Sequence, residues 1–412
     1  MIDGYPSSPL ISAGNNWCFV HVHAMLSDRC PEEDILENPT GLTDLFDAYV
    51  QNGANLLLAP TFNLNRFYLE SYHATDDMEA LNREMMYLTH KSSRGIVPLG
   101  AVISQYPVSL APLDDSVSFE DLVSFYKEQV SCLLLDITDL FLLDSFSDIR
   151  HARAAVLAVK ESCNLPVYVT FAVNSQNSYF ETNDILSALV TLQSMGISMF
   201  GICGRSDLSS METILKSLSE YAKIPLIAMP DGIYEDETGV RHLLSPEEFS
   251  QAAQKLISSS VRFFGISDRL SSDFVSSLKE SFRFADIPDF HGAEDDINTV
   301  LASSFRDIGF VNITSDISAD IACSAHLYED IIHTENQTGA ILKIVIENED
   351  DLAFFESNSY AFKNPVCVKA DNLFLLEMSA RVFCGRLICD RSYDFTQESL
   401  EPLKQKYGLI LL

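Results

Sequence analysis

Between about residue 50 and residue 282 the chain repeats one pattern: a short apolar run, then a longer amphipathic segment. The runs are Leu56–Phe62, Ile96–Ile103, Leu140–Phe146, Leu165–Val173, Met199–Cys203, Pro225–Met229 and Val261–Ser267. Each has the length of a strand, and none alternates polar with apolar residues. A strand wetted on one face must alternate, whereas one covered on both faces, as in a parallel sheet, need not. Between the runs lie helix-like segments such as Asp148–Glu161 and Ser209–Tyr221. At Ser245-Pro246-Glu247-Glu248 a capping serine, a proline at the first helical position and an acid in the capping-box place mark a helix start. With one further strand near the N-terminus the count reaches eight, which predicts a (β/α)8 barrel over residues 1–283. Such a barrel needs ~250 residues. A doubly wound open sheet is the alternative.

The stretch Asp286–Asp296 mixes proline, glycine and acids and reads as a linker, taken as 284–296. Beyond it, Phe310–Ile313, Ile341–Ile346, Pro365–Ala370, Arg386–Cys389 and Leu409–Leu412 read as strands, with helices at Asp371–Val382 and Thr396–Lys406. Four or five such steps predict a small three-layer α/β domain over residues 297–412. The composition, 47% hydrophobic and 21% charged, suits a chain that buries a sizeable core. Its formal net charge of −32 repels phosphate backbones and anionic lipid, which argues against nucleic-acid and membrane-surface functions. No apolar stretch approaches the ~18 residues of a membrane span. The first lysine or arginine is Arg29, so no signal peptide is expected. The nine cysteines are scattered without a C-x-x-C pair, which reads as reduced thiols and a cytoplasmic protein.

In a barrel of this kind chemistry sits on the loops after the C-terminal ends of the strands. Those places hold Thr61-Phe62-Asn63-Leu64-Asn65-Arg66, Asp144-Ser145-Phe146-Ser147-Asp148, Cys203-Gly204-Arg205, Pro230-Asp231-Gly232 and Ser267-Asp268-Arg269. Thr61 and Ser147 serve equally well as helix caps or as ligands, and Asp148 can cap the helix that follows it. Asp144 is different, because it ends an otherwise apolar strand, an expensive place for a carboxylate without a partner.

These strings carry a family resemblance. Asp3-Gly4, Ala48-Tyr49-Val50 with Asn52-Gly53-Ala54-Asn55, Thr61-Phe62 with Asn65-Arg66, Ser118–Leu122 with Tyr126–Gln129, Asp139–Ala155, Leu165-Pro166-Val167 and Pro246–Phe249 follow the homocysteine S-methyltransferase family in order and spacing. That family includes the homocysteine domain of cobalamin-dependent methionine synthase. The resemblance implies methyl transfer to a thiol such as homocysteine, from methylcobalamin, methylfolate or a sulfonium donor, and a separate corrinoid protein as an eventual partner. It also implies a zinc ion that lowers the pKa of the bound thiol, and a substrate site that includes Asp3, Gly4, Thr61 and Asp144. The family's zinc ligands are three cysteines. Two belong to a G-G-C-C-G string after the eighth strand, which here reads Gly265-Ile266-Ser267-Asp268-Arg269. The third belongs to a G-x-N-C string, read here as Gly201-Ile202-Cys203-Gly204; Gly204 falls on the ligand position, and Cys203 matches after a shift of one. Cys203 and Asp268 are therefore the remaining metal candidates, with Ser267 and Asp268 standing where the family has thiolates. A hydroxyl and one carboxylate are poor substitutes for two thiolates around zinc.

Other departures fall in the same loops. The family's D-G-A-M-G-T opening reads Asp3-Gly4-Tyr5-Pro6-Ser7-Ser8, the glutamate of its E-T string is Asp144, and its P-N-A-G loop is Pro230-Asp231-Gly232. The chain holds 17 glycines, against about 29 at ordinary usage. The scaffold strings survive while the site loops do not, which leaves a methyltransferase and a catalytically degenerate, small-molecule-binding or partner-subunit barrel both open. In the C-terminal part, Pro365–Asp371, Gly385–Ser392 and Lys406–Ile410 resemble strands of the pterin-binding barrel of methionine synthases, but too few follow for a complete folate site. A rival constellation is His21-Val22-His23, which resembles the first-strand H-x-H of metal-dependent amidohydrolases. That family needs further histidines after its fifth and sixth strands, and the corresponding runs Leu165–Val173 and Met199–Cys203 contain none.

Overall fold

The computed structural model describes the chain except residues 1–9, 16–29, 106–116, 174–181, 205–207, 268–269, 284–291, 293–294 and 391–394 and the single positions 237, 239, 258, 260, 297 and 339. Strands β1 (Leu10–Asn15), β2 (Leu56–Ala59), β3 (Leu99–Ser104), β4 (Leu140–Phe146), β5 (Val167–Ala172), β6 (Met199–Gly204) and β7 (Leu226–Pro230) run parallel. After β7 comes an antiparallel hairpin, β8 (Ile233–Glu235) and β9 (Arg241–Leu243), and then β10 (Val261–Ser267). β1 pairs with β2 through Ser12 and Leu56, and with β10 through Leu10 and Phe263, so the eight strands close into a barrel. All seven apolar runs became barrel strands, and the open-sheet alternative is excluded.

Barrel closure explains why the runs do not alternate. Leu56, Leu58, Val102, Leu140, Leu142, Tyr168, Met199, Ile227 and Phe263 form one cluster. The residues between them on the strands, such as Leu57, Phe141 and Val169, are equally buried but point the other way, as pleating requires. Tyr168 and Phe263 meet edge to face within that cluster, their ring centres 5.7 Å apart. The helices start where the sequence marks them: Asp148 caps Ile149–Ser162 through the Arg150 and His151 amides, and Ser118 makes a capping box with Asp121. Asn65 caps the short helix Arg66–Glu70; Thr61 and Ser147 cap no helix.

A second compact unit comprises residues 180–197, 220–223 and 291–412, so it takes in the helix Thr182–Ser194 along with the C-terminal third of the chain. Its hairpin, β11 (Thr299–Ser303) and β12 (Ile308–Asn312), precedes a parallel sheet of β13 (Ile317–Ala322), β14 (Ile341–Ile346), β15 (Val366–Ala370), β16 (Ile388–Cys389) and β17 (Ile410–Leu411). The strands lie in sequential order. Right-handed crossovers between sequential parallel strands put every crossover helix on one face. The other face receives the hairpin: Val300, Ala302 and Val311 pack on Ile341, Cys367, Ile388 and Ile410. The expected third layer is thus a hairpin rather than a second set of helices. Arg386 fastens it, donating to the Leu301 carbonyl at 2.7 Å and the Gly408 carbonyl at 3.2 Å and pairing with Asp295 at 3.0 Å.

Gly201 has no room for a side chain, since a Cβ there would collide with the Ile227 carbonyl on β7. Gly41, in the helix Thr40–Asn52, faces open space. Urea unfolding of Gly201→Ala should show a loss of about 1–3 kcal/mol or more, whereas Gly41→Ala should be neutral or gain up to about 1 kcal/mol. Equal effects would contradict the barrel packing.

Candidate site at the barrel mouth

Asp144 follows Leu140 and Leu142 on the inward-facing positions of β4 and is completely buried. Its neighbours come from adjacent strands: Ser104 is its register partner on β3, and Thr170 lies on β5. The Thr170 hydroxyl donates to Asp144 Oδ1 at 2.6 Å and accepts from the Ser145 amide at 3.0 Å. Asp144 Oδ2 has no hydrogen bond of regular geometry from any described residue. Burial pushes the Asp144 carboxyl up from the ordinary range, and hydrogen bonding, first of all from Thr170, offsets part of that rise.

Ser145 adopts a left-handed φ of 60°, which for a residue with a side chain is a strained conformation. It coincides with the register shift between β4 and β5, so the chain bends at the mouth. The bend brings Ser145 Oγ to 3.2 Å from Cys203 Sγ. Cys203 joins the interior cluster beside Met229, with Phe62 packed against it, and its thiol lies 3.6 Å from the Phe171 carbonyl. Burial, then the charge of Asp144, drives this thiol far above its ordinary pKa. Without a cation beside it, such a cysteine stays a thiol. Gly204, the residue in ungapped register with a zinc ligand, offers no donor side chain.

The Thr61 hydroxyl is engaged elsewhere: it donates to the Val102 carbonyl at 2.8 Å and accepts from the Val102 amide at 3.0 Å, tying the end of β2 to β3. Its own carbonyl accepts from Gln129 at 2.9 Å. Asp3, Gly4 and Asp268, and likewise His21 and His23, lie outside the described residues, and Ser267 is described only as the last residue of β10. Of the sequence candidates, the structure therefore brings together Asp144 and Cys203. Thr170 and Ser145 complete the cluster. Thr170 could have been found as the one threonine in the apolar run Leu165–Val173; nothing in the sequence marks the left-handed bend at Ser145. Among the described residues no group of three histidine, cysteine or acidic side chains converges as a metal site would require.

A closed parallel barrel with a polar cluster at the C-terminal ends of its strands defines the fold class: a (β/α)8 barrel. The family model for homocysteine S-methyltransferase matches residues 15–279, more than half of the chain, and the chain belongs to that family. It is similar to the methionine synthases of Mycobacterium leprae and Mycobacterium tuberculosis, in each case 23% identical over 243 residues. That match covers 56% of this chain but only 20% of either relative. In fold it resembles the metallated and oxidized forms of the homocysteine methyltransferase MmuM from Escherichia coli, each 15% identical, with TM-scores of 0.54 and 0.53. Those similarities cover 67% of this chain and 96% of each MmuM chain. Among the described residues no helix is long and apolar enough to cross a membrane.

The burial of Asp144 has a measurable consequence. Its folded-state pKa lies above the unfolded value of about 3.9. The folded state therefore holds the proton longer and loses stability as pH rises from the unfolded value through the folded one. Asp144→Asn removes that dependence. Urea unfolding between about pH 4 and pH 7 should show the variant gaining on the parent as pH rises, and a pH-independent difference would mean that Asp144 ionises normally.

Proposed function

We propose that the barrel binds the amino-acid end of a small thiol such as homocysteine, or a related amino acid, at Asp144, and that it does so without zinc. The observation that carries this reading is the buried carboxyl with one oxygen held by Thr170 and the other free of a regular hydrogen bond. An incoming ammonium group would supply the charge that Asp144 lacks, and with it the partner that a buried carboxylate requires. The neutral groups around it, Ser104, Ser145, Thr170 and Cys203, can accept or donate to the rest of a small polar ligand.

The zinc that the resemblance implies does not fit these residues. Cys203 Sγ lies between Ser145 Oγ and the Phe171 carbonyl, and serine and aspartate stand where the resemblance places the two other thiolates. No step through a metal is therefore derived. Without it a bound thiol keeps its free pKa of about 8.5, with only a few per cent thiolate at neutral pH. Attack on a methyl group of methylcobalamin or methylfolate would be correspondingly slow. The reading is thus of a barrel that retains recognition and has lost thiol activation.

Elemental analysis of the protein purified without added metal should give less than one zinc per chain. Calorimetric titration with homocysteine and with methionine should show binding that Asp144→Ala weakens by about tenfold or more, the cost of losing a charged hydrogen bond. One tightly held zinc per chain would restore the methyltransferase reading, and affinity unchanged by Asp144→Ala would remove Asp144 from the site.

A further inference from the structure

The helices Leu327–Thr338 and Glu349–Asn358 of the second compact unit are neighbours, and the single turn Ser359–Ala361 packs on the first of them. Their outward side carries large apolar groups: Tyr328 is 45% exposed and Tyr360 52%, with Ile332 and Phe354 also exposed. Tyr328 and Ile332 are one helical turn apart, and the Tyr328 and Tyr360 rings lie 6.3 Å apart. The next helix, Leu373–Val382, packs beside Glu349–Asn358 and adds Phe374 at 57% exposure. Single exposed apolar residues are ordinary, but several gathered on adjacent helices mark an interaction surface.

The charge around them says what kind. Between them the first two helices hold Glu329, Asp330, Glu335, Glu349, Asp350, Asp351 and Glu356 and no lysine or arginine. Glu335 and Asp351 are engaged with backbone amides, of Lys363 and Asn364 and of Glu347 respectively. Glu329, at 80% side-chain exposure, and the exposed Asp330, Glu349 and Asp350 face solvent. An acidic rim of this kind repels nucleic acid and anionic lipid and attracts cationic protein.

We propose that this face docks a basic amphipathic segment of a partner protein, whose apolar side covers Tyr328, Ile332, Phe354 and Tyr360 and whose lysines or arginines meet the carboxylate rim. Apolar anchors inside a complementary charged rim are the arrangement of a helix-in-surface contact. The aromatic groups supply the affinity and the carboxylates supply the rate of encounter and its salt dependence.

The test uses the full chain and two synthetic helical peptides of equal hydrophobicity, one built from leucine and lysine and one from leucine and glutamate. Fluorescence anisotropy should show the lysine peptide binding, more weakly in high salt, and the glutamate peptide not binding. The variant Tyr328→Ser, Phe354→Ser, Tyr360→Ser keeps the net charge, so it separates the patch from diffuse attraction by an acidic protein. It should bind the lysine peptide about tenfold more weakly or worse, with unchanged circular dichroism and melting temperature. The double variant Tyr328→Gln, Tyr360→Gln provides the same readout should the triple variant misfold. Lysine-peptide affinity equal in parent and variants would overturn the proposal. So would a parent dimer in sedimentation that the variants dissociate, since a second copy would then occupy the face.

Discussion

The pairing of β1 with both β2 and β10 is the interaction on which the rest of the barrel depends. A parallel sheet with open edges leaves two rows of unpaired amides and carbonyls, and closure removes them. Closure also fixes the interior. Once the sheet is a cylinder of eight strands, its inside must be filled by side chains, and Tyr168, Phe263, Leu142 and Ile227 fill it. Polar chemistry is then confined to the last inward-facing positions at the C-terminal rim. Asp144, Thr170 and Cys203 occupy such positions, above a cluster of aliphatic, methionine and aromatic side chains.

A carboxyl group in that place must be neutralised, paired or bonded. Here one oxygen accepts from Thr170, the proton is held more tightly than usual, and the other oxygen has no hydrogen bond of regular geometry from a described residue. A zinc centre solves the same electrostatic problem in another way: a cation charged +2 surrounded by thiolates tolerates burial because the charges cancel. When thiolates are replaced by hydroxyl and carboxylate groups, the cation loses soft, charge-matched partners, and the balance moves toward protonated side chains hydrogen-bonded to one another. In this barrel Ser145 Oγ and Cys203 Sγ lie 3.2 Å apart.

Most of the barrel was legible because burial on both faces writes itself as uninterrupted apolar runs. Leu140–Phe146 and Val261–Ser267 were read to the residue, and the remaining runs differ from their strands only at the ends. The C-terminal unit was less legible. β11 and β13 went unread, because Thr299–Ser303 and Ile317–Ala322 are short and mix serine, threonine and aspartate with apolar residues. Nor could the sequence show that Thr182–Ser194 belongs to the same compact unit as residues 291–412, since membership is decided by tertiary packing. Within the site, Asp144 was visible as an acid ending an apolar strand. The engagement of the Thr61 hydroxyl with Val102 was not, because a threonine after a strand looks the same whether it binds a ligand or a backbone.

We propose that the barrel retains a site for an amino acid while its residues no longer suit a zinc-thiolate centre. Diffraction from crystals grown with zinc and homocysteine, with anomalous data collected at the zinc edge, tests both halves at once. No anomalous peak is expected beside Cys203, and a ligand ammonium group is expected within about 3.2 Å of Asp144 Oδ2, the reach of a hydrogen bond. A tetrahedral zinc peak bonded to Cys203, or a mouth that excludes the ligand from Asp144, would contradict this proposal.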